Sequence, residues 1–317
     1  MTDQPSRAAD GPHAGIPAAS DQERCLARLF DRLWGRYRER VEYVRRYEQV
    51  VAAAGGTFVN DHIAFRTLAG QQPTTGIVSL SRLFEALGYV PANCYQFPDK
   101  HLSAIHFQHP NGQFPKLFIS ELQVWRLSDR AQQILGGYLR SHRAPISDAT
   151  LARLARVTPS TLPELVETCV EFLEHRPWDR PEKADVQELN RESQYAAWTL
   201  VHGYNVNHFT SLINSHGVNA LSDIEKTIAA LQTAGIPMKT EIEGPRGSKL
   251  RQTATEAVTL DVDVSDHGRH ATMPWSYAYF ELAERGEITD GETGRRGRFE
   301  GFLGPQATQL FEMTKVV

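Results

Sequence analysis

The chain has little cysteine: Cys25, Cys94 and Cys169, with no CxxC pair among them. That excludes a disulfide framework and a zinc ribbon and fits a reducing, cytoplasmic setting. No apolar run approaches the roughly 20 residues of a membrane span, so no membrane partner is expected. Positive charge is not in excess either. The net charge of −4 gives no bulk attraction for nucleic acid or an anionic surface. Residues 1–19 are rich in Ala, Pro and Gly without an apolar leader core, and read as a disordered tail rather than a secretory signal. The glycine-rich stretch from Gly244 to Lys249 lacks the Gly-Lys-Ser/Thr of a P-loop. What remains is ordinary globular composition, 41% hydrophobic and 23% charged, with twelve histidines. Residues 20–317 read as a single domain.

The most informative stretch is Asn60-Asp61-His62-Ile63-Ala64-Phe65-Arg66-Thr67-Leu68. Side chains alternate across a strand, so His62, Ala64 and Arg66 share one face and Ile63, Phe65 and Thr67 the other. An apolar face opposite an imidazole and a guanidinium describes a strand that fills a core on one side and lines a cavity on the other. Strand rise puts the Cα atoms of His62 and Arg66 roughly 13 Å apart. A guanidinium reaching back across part of that span leaves room for a small acid held at both ends.

Before that strand, Ser20-Asp21-Gln22-Glu23 forms a capping box. The helix it opens is expected to reach about Ala54, with Gly35 a candidate break and Gly55-Gly56 its end. Arg24, Arg28, Arg32 and Arg36 lie on one face of it, read as solvated with acidic partners. Leu26, Phe30, Leu33 and Tyr37 form its packing side. A second strand-like run, Asn205 to Ile213, again carries an early histidine, His208. Gly88 follows His62 by 26 positions and Gly235 follows His208 by 27, each ending a helical pattern.

This spacing is an internal repeat. Module one covers about 57–125, with a hairpin turned at Pro110-Asn111-Gly112. Module two covers about 204–290, with strands expected at 239–243, 250–255, 258–264 and 277–284 and a long loop over 265–275. A helical insertion, 126–203, separates them and shows no chemistry over 145–190. A closing segment, 291–317, includes a helix from Gly304 to Met313. The expected fold class is α+β: two βαβββ modules forming a curved central sheet around a metal cavity, with flanking helices.

The first and last strands of each module converge at the centre of such a sheet. The candidates there are His62, Glu121, His208 and Glu281. Two neutral imidazoles and one carboxylate leave coordination positions open, which is the donor set of non-haem Fe(II) oxygenases, although it accepts several divalent ions. His62, His208 and Glu281 satisfy it. His101, His106, His109, His202, His216, His267 and His270 compete as turn, helix-end or structural histidines. Ser248, Arg251, Gln252 and Thr253 lie where a glycine-rich loop enters a polar strand, and are candidate donors to a substrate carboxylate. An exposed hairpin is the competing reading there.

Asp61-His62-Ile63-Ala64-Phe65-Arg66-Thr67, Asn207-His208-Phe209-Thr210, Leu250-Arg251-Gln252-Thr253 and Phe280-Glu281 together resemble the DUF1338 family, from about residue 25 onward. That family includes 2-oxoadipate dioxygenase/decarboxylases and is similar to the vicinal oxygen chelate enzymes, whose paired βαβββ modules match the repeat. The resemblance implies Fe(II) held by His62, His208 and Glu281, with Arg66 binding the substrate carboxylate in the catalytic site. It implies conversion of 2-oxoadipate and O₂ to 2-hydroxyglutarate and CO₂, a step of lysine breakdown. The small-molecule partners would then be a 2-oxo dicarboxylic acid and O₂, with the protein contributing positioning and a dry cavity.

Two other readings compete. An isomerase or lyase of the same superfamily would use a fourth protein ligand, for which Glu121 is the candidate, and Lewis-acid chemistry alone. A non-catalytic dicarboxylate-binding protein would set Arg66 and Arg251 facing each other.

Overall fold

The structure, a computed structural model, describes residues 11–143, 146–289 and 294–303. The capping box folds as its sequence dictates. Ser20 Oγ accepts from the Glu23 N–H at 3.2 Å, and the Glu23 carboxylate accepts from the Ala19 N–H at 2.7 Å. The resulting helix α1 (Asp21–Arg40) buries Leu26, Phe30, Leu33 and Tyr37. It runs straight through Gly35 and stops instead at Val41, whose side chain turns fully into the core. Helix α2 (Tyr43–Ala53) then completes the span. The arginine stripe on α1 is solvated with acidic partners, as its spacing suggests: Arg24, Arg28 and Arg32 are exposed, Arg24 pairs with Asp21, and Arg32 and Arg36 meet Glu167 and Glu174 of helix α6 (Leu162–Glu174). Residues 11–19 also depart from the tail reading. His13 is buried, with Nδ1 2.8 Å from Asp31 Oδ1 and Nε2 3.2 Å from Asn60 Oδ1, and those partners hold the segment against α1.

Module one follows the expected order: β1 (Asn60–Ala69), α3 (Ile77–Ala86), β2 (Val90–Phe97), β3 (Leu102–Gln108) and β4 (Lys116–Gln123). Strand β1 is buried along its whole length. Phe65 packs on Phe84 of α3 with ring centroids 5.3 Å apart. Burying such a side chain contributes about 1.5–3 kcal/mol.

Helices α4 (Asp129–Leu139), α5 (Asp148–Leu154), α6, α7 (Lys183–Glu192) and α8 (Gln194–His202) form the insertion. Module two then supplies β5 (Val206–Leu212), α9 (Ile224–Thr233), β6 (Leu250–Ala254), β7 (Thr259–Asp266), β8 (Arg269–Ser276) and β9 (Glu281–Arg285), followed by the short strands β10 (Glu287–Thr289) and β11 (Arg296–Arg298). Seven strands make one sheet in the order β2-β3-β4-β1-β5-β9-β6. In each module the first and last strands are parallel neighbours, and β1 and β5 meet antiparallel at the centre.

Module two differs from expectation in three ways. Residues 238–243 only bridge to the edge of β6, through Met238–Thr255 and Glu243–Gln252, where β2 forms a full strand in module one. Residues 258–264 belong to a separate hairpin, β7–β8, which occupies the expected loop. Strand β9 starts only at Glu281, because the backbone of Tyr277 to Phe280 is bonded to residues 255–258 instead. The expected helix from Gly304 to Met313 lies outside the described residues.

Candidate metal centre

His62, His208 and Glu281 come together at the seam between the two modules. Their ligand atoms all lie within 4.8 Å of one another, and all three residues are buried. His62 Nε2 is 3.3 Å from Glu281 Oε1, and His208 Nε2 is 3.4 Å from Glu281 Oε2. Both Nδ1 atoms are held from behind: that of His62 by Asp61 Oδ2 at 2.8 Å, and that of His208 by Asn207 Oδ1 at 3.0 Å. Each acceptor fixes a proton on Nδ1 and turns the Nε2 lone pair toward the centre, which is how a histidine is prepared for a cation.

A backbone irregularity makes the first of these contacts. Along the β1–β5 ladder, Asn60 pairs with Ser211 and His62 with Thr210, so Asp61 is the extra residue of a bulge. A bulge re-aims a side chain, and here it brings Asp61 alongside its neighbour His62. Two of the Arg285 nitrogens, Nε and Nη2, then donate to the two Asp61 oxygens at 2.6 and 2.7 Å. Burial alone would raise the Asp61 carboxyl, but Arg285, the His62 hydrogen bond and Lys116 together hold the group well below the usual carboxylate range.

Burial opposes ionisation of Glu281, yet its pKa lies below the usual carboxylate value, with His208, His62 and the Gln252 amide all facing it. Gln252 Nε2 donates to its Oε1 at 2.6 Å. Its Oε2 is buried and accepts no hydrogen bond from the described residues. Burial drops His208 to about 3, so it is a neutral donor at ordinary pH. An anionic oxygen without a hydrogen-bond donor, beside two oriented imidazole nitrogens, fits a divalent cation.

Arg66 reaches the same cavity from β1. Its Cζ lies 4.9 Å from the Tyr195 ring centroid and 5.0 Å from that of Trp198. These two aromatic faces, both from α8, hold the guanidinium plane in a buried place. Burial pulls its pKa down from the ordinary arginine value. Ala64, Phe118, Ser120, Tyr279 and Phe302 line the remaining walls, and Tyr279 stacks on His208 at 4.8 Å.

The other expected contacts divide. Gln252 lines the cavity, but Arg251 pairs with Glu225 at 2.7 Å on the opposite face of β6. Thr253 Oγ1 donates to Glu241 O, and Ser248 Oγ to Leu250 O. Strand alternation explains the split, since Arg251 and Thr253 cannot share a face with Gln252.

Glu121 does not reach the centre. Its Oε2 accepts from the Ile77 N–H at 2.8 Å and caps α3. Gly76, at φ +102°, leaves the room this needs, since a Cβ there would sit 2.5 Å from that oxygen. Glu284 does the same in module two, accepting from the Ile224 N–H of α9 at 2.7 Å. Glu121 and Glu284 are therefore counterparts, and three residues earlier Phe118 is the counterpart of Glu281. Strand register gives the same answer: two positions after His62, Ala64 pairs with Phe118, and two positions after His208, Thr210 pairs with Glu281. A phenyl ring stands where a symmetric repeat would place a second carboxylate.

The site also uses residues that the sequence did not single out: Asp61, Asn207, Arg285, Tyr195, Trp198 and Phe302. The matched doublets Asp61-His62 and Asn207-His208 were the available signal for the first two.

Two related modules, β1-α3-β2-β3-β4 and β5-α9-β6-β9, around a three-donor cluster define a glyoxalase-type architecture with a metal-competent centre. A putative glyoxalase superfamily protein from Ralstonia eutropha JMP134 superposes with a TM-score of 0.78 at 25% identity, over 91% of this chain and 90% of its own. A family profile described as 2-oxoadipate dioxygenase/decarboxylase matches residues 31–312, and the chain belongs to that family of oxidoreductases. A chloroplastic/amyloplastic 2-oxoadipate dioxygenase/decarboxylase from Oryza sativa subsp. japonica is 33% identical over 294 residues, 86% of this chain and 72% of the relative. The crystal structure of the hydroxyglutarate synthase from Oryza sativa in complex with 2-oxoadipate has a TM-score of 0.74 at 27% identity, covering 99% of this chain and 98% of that one. Among the described residues no helix is long and apolar enough to cross a membrane.

Proposed function

We propose that this protein is an Fe(II)-dependent dioxygenase that converts 2-oxoadipate and O₂ to 2-hydroxyglutarate and CO₂. The family membership and the Oryza sativa complex with 2-oxoadipate support the substrate class. The observation that carries the reading is the three-donor set with Phe118 at the fourth symmetric position. His62, His208 and Glu281 would hold the ion and leave sites for substrate and O₂. Bound iron supplies the redox chemistry with dioxygen that no side chain can.

The chain's own residues do the rest. Arg66 presents a fixed, charged fork to the substrate carboxylate, because two aromatic faces restrict its plane. Gln252 fixes the Glu281 carboxylate by holding one of its oxygens. Phe118, Tyr279 and Phe302 keep water from the reacting carbons. The equation balances with no external reductant: carbon, hydrogen and both atoms of O₂ are accounted for in one C5 hydroxy acid and one CO₂. The placement of Glu121 as a helix cap weighs against a four-ligand isomerase or lyase, and the outward pairing of Arg251 against a two-arginine binding protein.

Oxygen uptake by anaerobically purified, Fe(II)-loaded protein tests the proposal. Uptake with 2-oxoadipate should exceed that with 2-oxoglutarate and match CO₂ and 2-hydroxyglutarate formed. His208→Ala should abolish it. No uptake with either acid, from protein shown to hold its iron, would reject the reading.

A further inference from the structure

Strand β9 carries Glu281 at one end and Arg285 at the other, four residues on and on the same face. Arg285 is buried, and its donors point two ways. Nε and Nη2 grip Asp61, the residue behind His62. Nη1 donates to Phe299 O at 3.0 Å and Gly301 O at 2.8 Å, in the strap that follows β11. The next residue of that strap, Phe302, sets its ring 5.3 Å from Arg285 Cζ and 4.9 Å from the His62 ring, as a wall of the cavity. The strap is seated further by the Glu300–Lys116 ion pair at 2.5 Å and by the Phe302 N–H, which donates to Tyr95 Oη at 3.2 Å.

We infer that Arg285 is a positioning residue that couples seating of this strap over the cavity to the orientation of His62. This rests on the metal reading of the His62, His208 and Glu281 cluster. Four of the five guanidinium N–H groups are engaged by Asp61 and the strap. If the strap lifts, Nη1 loses both acceptors in a buried place, and the guanidinium shifts away from Asp61 to find others. Asp61 then no longer fixes the His62 ring. The reverse holds as well: a cation that draws His62 Nε2 inward tightens Asp61 against Arg285 and keeps the strap seated. Coupling of this kind is reciprocal in free energy. The strap thereby closes the cavity when the centre is loaded.

The test uses Co(II) as the probe metal, with no substrate present. Metal-free protein is titrated anaerobically while the Co(II) absorption bands are followed. Amide hydrogen exchange of residues 296–302 is measured with and without Co(II). In the wild type, Co(II) should slow exchange in the strap. Arg285→Gln should weaken Co(II) binding about 10- to 100-fold, the usual effect of removing a partner behind a ligand, and exchange in its strap should no longer respond to Co(II). Arg285→Lys, which keeps the charge beside Asp61, should recover part of the affinity. Glu300→Gln touches no ligand, yet should speed strap exchange and weaken Co(II) binding.

Folded Arg285→Gln that binds Co(II) like the wild type overturns the inference, and so does a strap indifferent to Co(II) in the wild type. If Arg285→Gln does not fold, Glu300→Gln decides: a loosened strap with unchanged Co(II) affinity overturns the coupling. A wild-type protein that binds no Co(II) is a different result and rejects the metal reading itself.

Discussion

The two modules share one plan and differ where the chemistry lies. Each offers a histidine from its first strand, backed by the residue before it, and each caps its helix with a glutamate from its last strand. In module one the backing residue is a charged Asp61, tied to a buried arginine. In module two it is Asn207, a neutral amide. Three residues before the capping glutamate, module two has Glu281 and module one has Phe118. A repeat with identical halves would give four protein ligands. Replacing one carboxylate by a phenyl ring gives three, and on the proposed reading the missing donor would leave a coordination position for substrate or oxygen. His62 meets the Phe302 ring at 4.9 Å, with Asp61 at its Nδ1 and the Thr210 hydroxyl 3.0 Å from its Nε2.

Restoring the symmetry should have the largest effect. Phe118→Glu places a second carboxylate opposite Glu281, so Co(II) binding should be retained or tightened while oxygen uptake with 2-oxoadipate is lost. Retained uptake would mean that Phe118 is not the counterpart position.

Exchanging the backing residues comes next. Asp61→Asn leaves the buried Arg285 without its counter-ion and should cost about 3–5 kcal/mol of stability. Asn207→Ala only strips one acceptor from His208, and should cost about 1–3 kcal/mol. Urea unfolding of the two variants side by side would show whether the modules differ as described.

A smaller, pH-dependent difference follows from His106 on β3. Burial first, then the nearby positive charges of Lys116 and Arg285, lower it from 6.5 to about 4. The unfolded chain takes up a proton below about 6.5 that the fold refuses, so stability is full above that pH and falls as pH drops toward about 4. His106→Gln should make the urea midpoint less sensitive to acid across that window.

The smallest expected effect tests the equivalence itself. Glu121→Gln and Glu284→Gln should each cost about 1 kcal/mol, the usual worth of a helix cap, in similar amounts. Neither should change Co(II) affinity. A loss of affinity in Glu121→Gln would return that residue to the centre.

Much of this was legible in the chain. Alternation along Asn60 to Leu68 separated the core face from the cavity face. The matched distances from His62 to Gly88 and from His208 to Gly235 exposed the repeat. The strongest local signals survived folding because each depends on near neighbours in sequence.

What escaped depends on register or long range. The bulge at Asp61 exists only in the pairing of β1 with β5. The Asp61–Arg285 pair joins residues 224 positions apart. Tyr195 and Trp198 reach Arg66 because α8 packs back on β1, which no periodicity in the insertion reveals. Glu121 and Glu281 are both late-strand carboxylates, so sequence order pairs them, and only the helix caps show that Glu284 is the true counterpart of Glu121. Arg251 and Thr253 alternate with Gln252 along β6 and so turn away from the cavity that Gln252 lines.

The most direct measurement is the reaction of Fe(II)-loaded wild-type protein with 2-oxoadipate under ¹⁸O₂, read by mass spectrometry of the C5 product. The account predicts 2-hydroxyglutarate carrying two labelled oxygens, one in the new carboxylate and one in the hydroxyl group. A product hydroxyl drawn from water, or no product from protein that holds its iron, would contradict it.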